Sequence, residues 1–489
     1  MMKLKHQPSY YTTPFFKWRQ RVGFGISDYA CNLAYLLTNT YLLFYYTNCA
    51  GIKAADAGFM FVITKFIDAI TDYLTGAWID RTDTKMGRYR PWMLFGAPVL
   101  AVGMIILFSV PTGWAYTAKM VWAYVSYVIF SFGYTLVNIP MTPIVTSLSP
   151  DPIERTNIVT TKQMFASLGS LTSSLFVLPL VQFFSGSKDA VGSALASGYR
   201  MTNVVLGIIV IVLMIICVFN IEEINPPVVV TEDKTERQAK GNIFTDMKDI
   251  FKNKYYIMFI FFVISFFLGY LVMYAAIQYY FTYIVGDTTL MSVAMSIMTI
   301  VPIPLYLLTS ILCAKGIKKS TFLKSGSLVS MISLIFMFFF SGKIATIVFI
   351  TLWSVGFGLR QSILFATFPD IFDYTEYQVG RSLAGTQYSI ASFSTKLASA
   401  LSSALVSGLL VWGSYNAEAL DGMLSAGQTV ADIASAYPST VLAIKIAFIG
   451  VSIVTNLIAF LVLIPFKLEK IYPEIRAELD KRRAAANNE

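Results

Sequence analysis

The stretch Glu222-Glu-Ile-Asn-Pro226-Pro227-Val-Val-Val-Thr-Glu232-Asp-Lys-Thr-Glu-Arg-Gln-Ala-Lys240, running on to Lys254, decides how the chain is organised. It is polar, holds a proline pair and mixes both signs of charge, so it reads as a connecting segment. Outward from it, apolar segments fill almost everything on either side. A helix that crosses a membrane needs about 20 mostly apolar residues. Six such segments precede the stretch, near 22–48, 57–79, 92–111, 115–147, 157–184 and 201–220. Six follow it, near 255–284, 290–314, 322–341, 345–369, 383–412 and 440–466. The expected fold class is an all-α membrane protein with twelve transmembrane helices in two pseudo-symmetric six-helix bundles. The expected boundaries are an N-terminal bundle over 1–221, a cytoplasmic linker over 222–254, and a C-terminal bundle with a cytoplasmic tail over 255–489.

Composition agrees. Of 489 residues, 56% are hydrophobic and 13% charged, about half the charged share of a soluble globular protein. Water could not solvate such a surface; lipid can. Aromatic residues make up 15%, enough for lipid-facing Phe and interfacial Tyr and Trp. The net charge of +9 is carried in short loops, which reads as a cytoplasmic loop bias and not as a nucleic-acid surface. Cys31, Cys49, Cys217 and Cys313 show no CxxC spacing and read as packing residues, with neither a disulfide framework nor a metal site. His6 is the sole histidine, so a histidine proton relay inside the membrane is excluded. Met1 to Arg21 is basic without an apolar core and does not read as a cleaved signal peptide.

Loop charge predicts the orientation. With both termini inside, the cytoplasmic segments collect Lys17, Arg19, Arg21, Arg81, Lys85, Arg88, Arg90, Lys315, Lys318, Lys319, Lys481, Arg482 and Arg483. The opposite loops hold scattered residues such as Lys53, Lys119, Lys188 and Lys343, and 413–440 has no Lys or Arg. The chain is expected in the cell (inner) membrane, multi-pass, with cytoplasmic termini.

Charges inside apolar segments point to the chemistry, because each costs about 2.5–3.5 kcal/mol at a helix centre. The second segment reads Lys65-Phe-Ile-Asp68-Ala-Ile-Thr-Asp72. Asp68 and Asp72 are one helical turn apart, and Lys65 lies three residues before Asp68, so all three share a face. Two carboxylates this close repel unless a cation or a proton joins them. Thr71 adds a hydroxyl oxygen of the kind hard cations accept. The alternative is a structural Lys65 salt bridge, which satisfies one aspartate only. In the first segment Asp28 and Asn32 are again a turn apart. They read equally as an acceptor pair for sugar hydroxyls or as a helix-end cap. The second half offers Arg360, Gln361 and Lys396 in apolar surroundings. The loop from Gly76 through Asp80-Arg81 to Gly87-Arg88-Tyr-Arg90-Pro91 lacks a phosphate-cradle motif and reads as a salt-bridge latch or as a solvated loop.

Taken in order and spacing, these residues resemble the glycoside–pentoside–hexuronide:cation symporters, the melibiose permease type, over nearly the whole chain. The carrying motifs are Gly23-Phe-Gly25 through Asp28, Phe44-Tyr-Tyr-Thr47, Asp68-Ala-Ile-Thr-Asp72 with Gly76, and Asp80-Arg81-Thr to Trp92. Tyr134-Thr135, Asn138-Ile-Pro140, Glu154-Arg155, Pro369-Asp370-Ile-Phe-Asp373-Tyr374 with Glu376, and Lys396 complete them. The plan of two six-helix halves joined by a central linker is likewise that of the major facilitator fold. The resemblance implies secondary active transport: a Na⁺ or H⁺ gradient drives uptake of a glycoside, pentoside or hexuronide by alternating access, with no other cofactor. It implies a cation site at Asp68, Thr71, Asp72 and Thr135, with Asp68 and Asp72 ligating metal if Na⁺ is used. It implies substrate contacts at Asp28, Asn32, Asn138, Gln163, Arg360, Gln361 and Lys396. Gating falls to Asp80, Arg81, Arg88, Asp370, Asp373 and Arg381.

The chain also departs from the pattern. Asn138 stands where the type member has an aspartate, Gln163 where it has an arginine, and Thr142 and Gln361 where it has tryptophans. Galactoside preference therefore does not carry over, and the lost carboxylate bears on Na⁺ use. Arg360 suits either an anionic sugar or a structural partner. No phosphotransferase domain is expected after the last helix. The competing readings are a lysolipid or other amphiphile transporter of the same fold and a non-transporting sugar sensor. An enzyme is not expected, since HExxH, GxSxG and Cys/His clusters are missing.

Overall fold

The computed structural model describes residues 11, 13–80, 82, 84–149, 151–186, 192–224, 243–340, 342–380 and 383–486. Among the described residues, twelve helical segments match the expected spans in order, and a further helix, Leu468–Ala486, follows them. The first six are α1 (Pro14–Phe44), α2 (Ala54–Asp80), α3 (Arg90–Leu107), α4 (Tyr116–Asn138), α5 (Pro152–Ser185) and α6 (Leu195–Asn220). Then come α7 (Lys254–Tyr280), α8 (Thr288–Ile300, resumed as Pro302–Ala314), α9 (Lys319–Phe339), α10 (Lys343–Val379), α11 (Ala384–Trp412) and α12 (Pro438–Lys445, resumed as Val451–Leu463). Among the described residues, ten of these are long and apolar enough to cross a membrane. The two that fall short are α1 and α2: α2 carries Lys65, Asp68 and Asp72, and α1 carries Asp28 with the uncharged polar residues Asn32 and Asn39. Large apolar side chains such as Phe95, Phe183, Leu307 and Phe339 stay exposed on the spans; a hydrocarbon solvent makes that surface stable.

Contacts divide the chain into two compact units. One comprises 1–229 with 415–433, the other 230–414 with 434–489. In the first unit α1 packs on α5 and α6, α3 on α4 and α6, and α2 on α4. In the second, α7 packs on α11 and α12, α9 on α10 and α12, and α8 on α10. Each pairing recurs six helices later, the signature of a repeated bundle.

The same local devices recur too. Between α3 and α4, a Cβ on Gly133 would run into the Leu100 amide nitrogen. Between α9 and α10, one on Gly356 would lie 2.5 Å from the Gly326 carbonyl. Small residues let backbones approach where lipid supplies no hydrophobic drive between helices. Each bundle also ends on a carboxylate that caps its third helix. Glu223 accepts the amides of Arg88 (2.9 Å), Tyr89 (3.0 Å) and Arg90 (3.0 Å) at the start of α3. Glu469 accepts the Ser320 amide (3.1 Å) and hydroxyl (2.5 Å) at the start of α9. These are orphan N-terminal donors that a buried helix end must satisfy, and the helix dipole favours an anion there.

The two boundaries that differ most from expectation do so for physical reasons. The fourth helix stops at Asn138, giving way to a 3₁₀ turn (Ile139–Met141) and a short helix (Ile144–Leu148). Pro140 and Pro143 lack the amide a continuous helix needs. Conversely, α10 runs ten residues beyond Pro369 to Val379. Its extension is held by Asp370 and Asp373, paired as described below.

Candidate functional site

The carboxylates of α2 meet hydroxyls of α4 in two rungs. Thr135 Oγ1 donates to Asp72 Oδ1 at 2.8 Å. One turn earlier on α4, the Ser131 hydroxyl donates to Asp68 Oδ1. The pattern follows from periodicity: both pairs are spaced four residues apart, so two packed helices present them in register. Lys65 Nζ lies 3.3 Å from Asp68 Oδ2 and 5.7 Å from the centre of the Tyr127 ring. Thr71 Oγ1 donates to the Asp68 carbonyl at 3.0 Å, which ties it to its own helix. Lys65, Asp68 and Asp72 together carry a formal charge of −1. That suits one monovalent cation or one proton.

A second polar group lies on α1 and α5. Asn32 Nδ2 donates to the Asp28 carbonyl at 2.8 Å, and the Ser170 hydroxyl donates to Asn32 Oδ1 at 3.3 Å. The charge of Lys162 acts on Asp28, and its Nζ sits 5.7 Å from the centre of the Phe24 ring. Gln163, next along α5, is exposed. Asn138 Nδ2 reaches the Tyr134 hydroxyl at 3.4 Å. Tyr134 in turn lies 6.2 Å from Tyr35, placing an aromatic pair on α1 and α4.

In the second unit, Gln361 Oε1 accepts the Tyr306 hydroxyl at 2.7 Å. Lys396 is exposed on α11. Arg360 is 2% exposed. Its guanidinium donates to the Gly356 carbonyl (3.1 Å), to Ser330 (3.0 Å) and to Asn456, and it lies 5.1 Å from the Phe266 ring centre. These partners are neutral and internal to the bundle.

Of the expected gating residues, Asp370 Oδ2 is 2.7 Å from Lys319 Nζ. Asp373 Oδ2 accepts the Tyr472 hydroxyl at 2.7 Å and pairs with Arg476 at 3.1 Å. Arg88 is held through its backbone amide by Glu223. Asp80 closes α2, and its side chain, with Arg81 and Arg381, lies outside the described residues.

Sequence reasoning missed Ser131, Lys162, Glu223 and Glu469. Ser131 was findable as the residue one turn before Thr135, and Lys162 as a further charge in an apolar helix. The two capping glutamates announce themselves only when the helix ends they cap are in place.

Solved structures share this architecture. A bacterial homolog of the human lysosomal transporter Spinster, inward-facing and unoccupied, superposes with a TM-score of 0.67 at 12% identity, covering 94% of this chain and 98% of that one. A D-xylose–proton symporter superposes at 0.60 with 14% identity, covering 89% and 98%. The molecule is thus a multi-pass membrane protein of the major facilitator fold. The family described as MFS/sugar transport protein matches residues 23–470, and the chain belongs to it. Among its relatives, the isoprimeverose transporter of Lactiplantibacillus pentosus is 30% identical over 478 residues, 96% of this chain and 93% of that protein. The glucuronide carrier protein homolog of Escherichia coli K12 is 26% identical over 470 residues, 95% and 96% of the two. A putative glycoside/cation symporter of the same organism, YagG, is 27% identical over 470 residues, 96% of each.

Proposed function

We propose that this protein is a secondary active transporter in which one monovalent cation, bound at Asp68 and Asp72, drives uptake of a sugar or glycoside by alternating access. The observation that carries the reading is the double rung of Ser131–Asp68 and Thr135–Asp72. A hydroxyl has one proton and two lone pairs, so each can hold its carboxylate while the site is empty and offer an oxygen when a cation arrives. Lys65 compensates Asp68, leaving one net negative charge for Na⁺ or H⁺ to neutralise. Affinity for sugar then rises with cation binding and the reverse, because linkage is reciprocal.

Asp28, Asn32 and Asn138 are assigned to sugar hydroxyls in the first unit, with Lys162 and Gln163 beside them on α5. In the second unit Gln361 and Lys396 keep the contact role the family pattern implies. Arg360 is assigned to holding α9, α10 and α12 together, since each of its three guanidinium nitrogens donates within the bundle, to Gly356, Ser330 and Asn456. Transport chemistry needs no covalent step and we assign none. Loop charge supports the inner membrane with cytoplasmic termini. Lys319–Asp370 and Arg476–Asp373 are the ion pairs proposed to exchange during gating. The test is uptake by sealed vesicles under imposed Na⁺ and proton gradients, across a panel of glycosides, pentosides and uronides. Accumulation above the external concentration is the expected result; equilibration alone would refute coupling.

A further inference from the structure

Within the first unit, a segment from late in the chain covers the far end of α1. Residues 415–433 belong to that unit, although the chain on both sides, through Ser414 and from Ala434, belongs to the other. The helix Ala417–Ser425 is seated on Asn48, which lies in the π-helical turn Tyr45–Cys49 that continues α1. Asn48 Nδ2 donates to Asp421 Oδ2 at 3.1 Å. Its Oδ1 accepts the Tyr415 hydroxyl at 2.8 Å and the Thr47 hydroxyl at 2.8 Å. Asn48 is 7% exposed and Asp421 8%, so these polar groups are withdrawn from water. The fit is close: a Cβ on Gly192, at φ +59°, would stand 3.0 Å from Asp421 Oδ2. Leu420 and Ile433 are fully buried.

The segment has little slack. Tyr415 follows the last residue of α11, Trp412, by three positions, and extended chain spans at most about 3.6 Å per residue. Ile433 precedes Pro438, the start of α12, by five. Ser414 turns the chain through φ +52°, a conformation uncommon outside glycine. The two stems are also tied to each other, because Thr440 Oγ1 donates to the Gly413 carbonyl at 2.6 Å. A segment on short, cross-tied stems cannot follow a large displacement of α11 and α12 while staying on Asn48.

We infer that residues 415–433 are a strap, and that the Asn48–Asp421 and Asn48–Tyr415 contacts break and re-form in each transport cycle. This rests on the alternating access proposed above. The chemistry suits a reversible catch. Neutral and charge-assisted hydrogen bonds exchange for water at small net cost, and the apolar burial to be given up is concentrated in Leu420 and Ile433.

The test uses the full chain in lipid nanodiscs with Asn48→Cys and Asp421→Cys in a Cys49→Ser background. A short bis-methanethiosulfonate reagent bridges the pair and a reductant releases it. One ketone-directed spin label in each unit, outside the strap, reports distance distributions. The unbridged protein is expected to show two populations, bridging to leave one, and reductant to restore both. In a separate sample, Asp421→Ala is expected to change the population ratio by about tenfold, as loss of one charge-assisted hydrogen bond would. Two populations that survive complete bridging overturn the strap alone. A single population in the unbridged protein, in NaCl, LiCl and choline chloride alike, overturns alternating access and the strap with it.

Discussion

Thr135 on α4 donates to Asp72 on α2 at 2.8 Å, and Ser131 repeats the contact on Asp68 one turn away. If these hydroxyls serve the cation, Ser131→Ala and Thr135→Ala each weaken apparent cation affinity by about tenfold, the scale of a hydrogen bond to a charged group. Ser131→Thr keeps it. Cation titrations of thermal stability, with choline as the control, read this directly. Equal affinity in all three variants would remove the hydroxyls from the site.

The capping glutamates carry a second prediction. Glu223→Ala strips three amides of their acceptor, and Glu469→Ala strips Ser320. Each should cost about 1–2 kcal/mol and lower the thermal midpoint. Glu223→Asp, too short to reach all three amides, should fall between.

Helix contact at glycine carries a third. Gly133→Ala drives a methyl into the Leu100 backbone and Gly356→Ala into Gly326, so both should destabilise by about 1–3 kcal/mol or block assembly. Gly408→Ala, with nothing within 4 Å, should be neutral or slightly stabilising by its helix propensity. Expression and thermal midpoint measured side by side decide it.

Acid dependence follows from Asp287, which caps α8 at Leu290. The Lys343 ammonium, 2.8 Å away, holds this carboxylate below its ordinary range, against the opposing effect of partial burial. A depressed folded-state value means stability that is present above the unfolded value and lost as pH falls through the folded one. Lys343→Met should therefore lower the midpoint slightly at neutral pH, since both groups are partly solvent-screened. The difference from wild type should vanish once pH drops below the carboxylate range. A difference that persists unchanged into acid would mean that Lys343 acts by packing.

Much of this was legible in the sequence, for identifiable reasons. Hydrophobic runs between charged loops located the helices, and ten of them, among the described residues, have the length and apolarity that lipid demands of a span. The Asp68–Asp72 spacing announced its face through helical period alone. What escaped depended on the third dimension. Ser131 is an ordinary helix serine until α2 brings Asp68 to it. Asp370 and Asp373, read as gating residues, also explain why α10 passes Pro369, but their partners Lys319, Tyr472 and Arg476 sit 51 to 103 residues away in sequence. The acidic loop 413–440 gave no sign that its helix Ala417–Ser425 joins the first unit, since Asn48 and Asp421 are 373 positions apart.

The proposed function rests on Asp72 carrying the coupling ion. The most direct measurement is solute accumulation in proteoliposomes under an imposed Na⁺ or proton gradient, wild type against Asp72→Asn. Concentrative uptake is expected of the wild type, and equilibration without accumulation of the variant. Full gradient-driven accumulation by Asp72→Asn would contradict it.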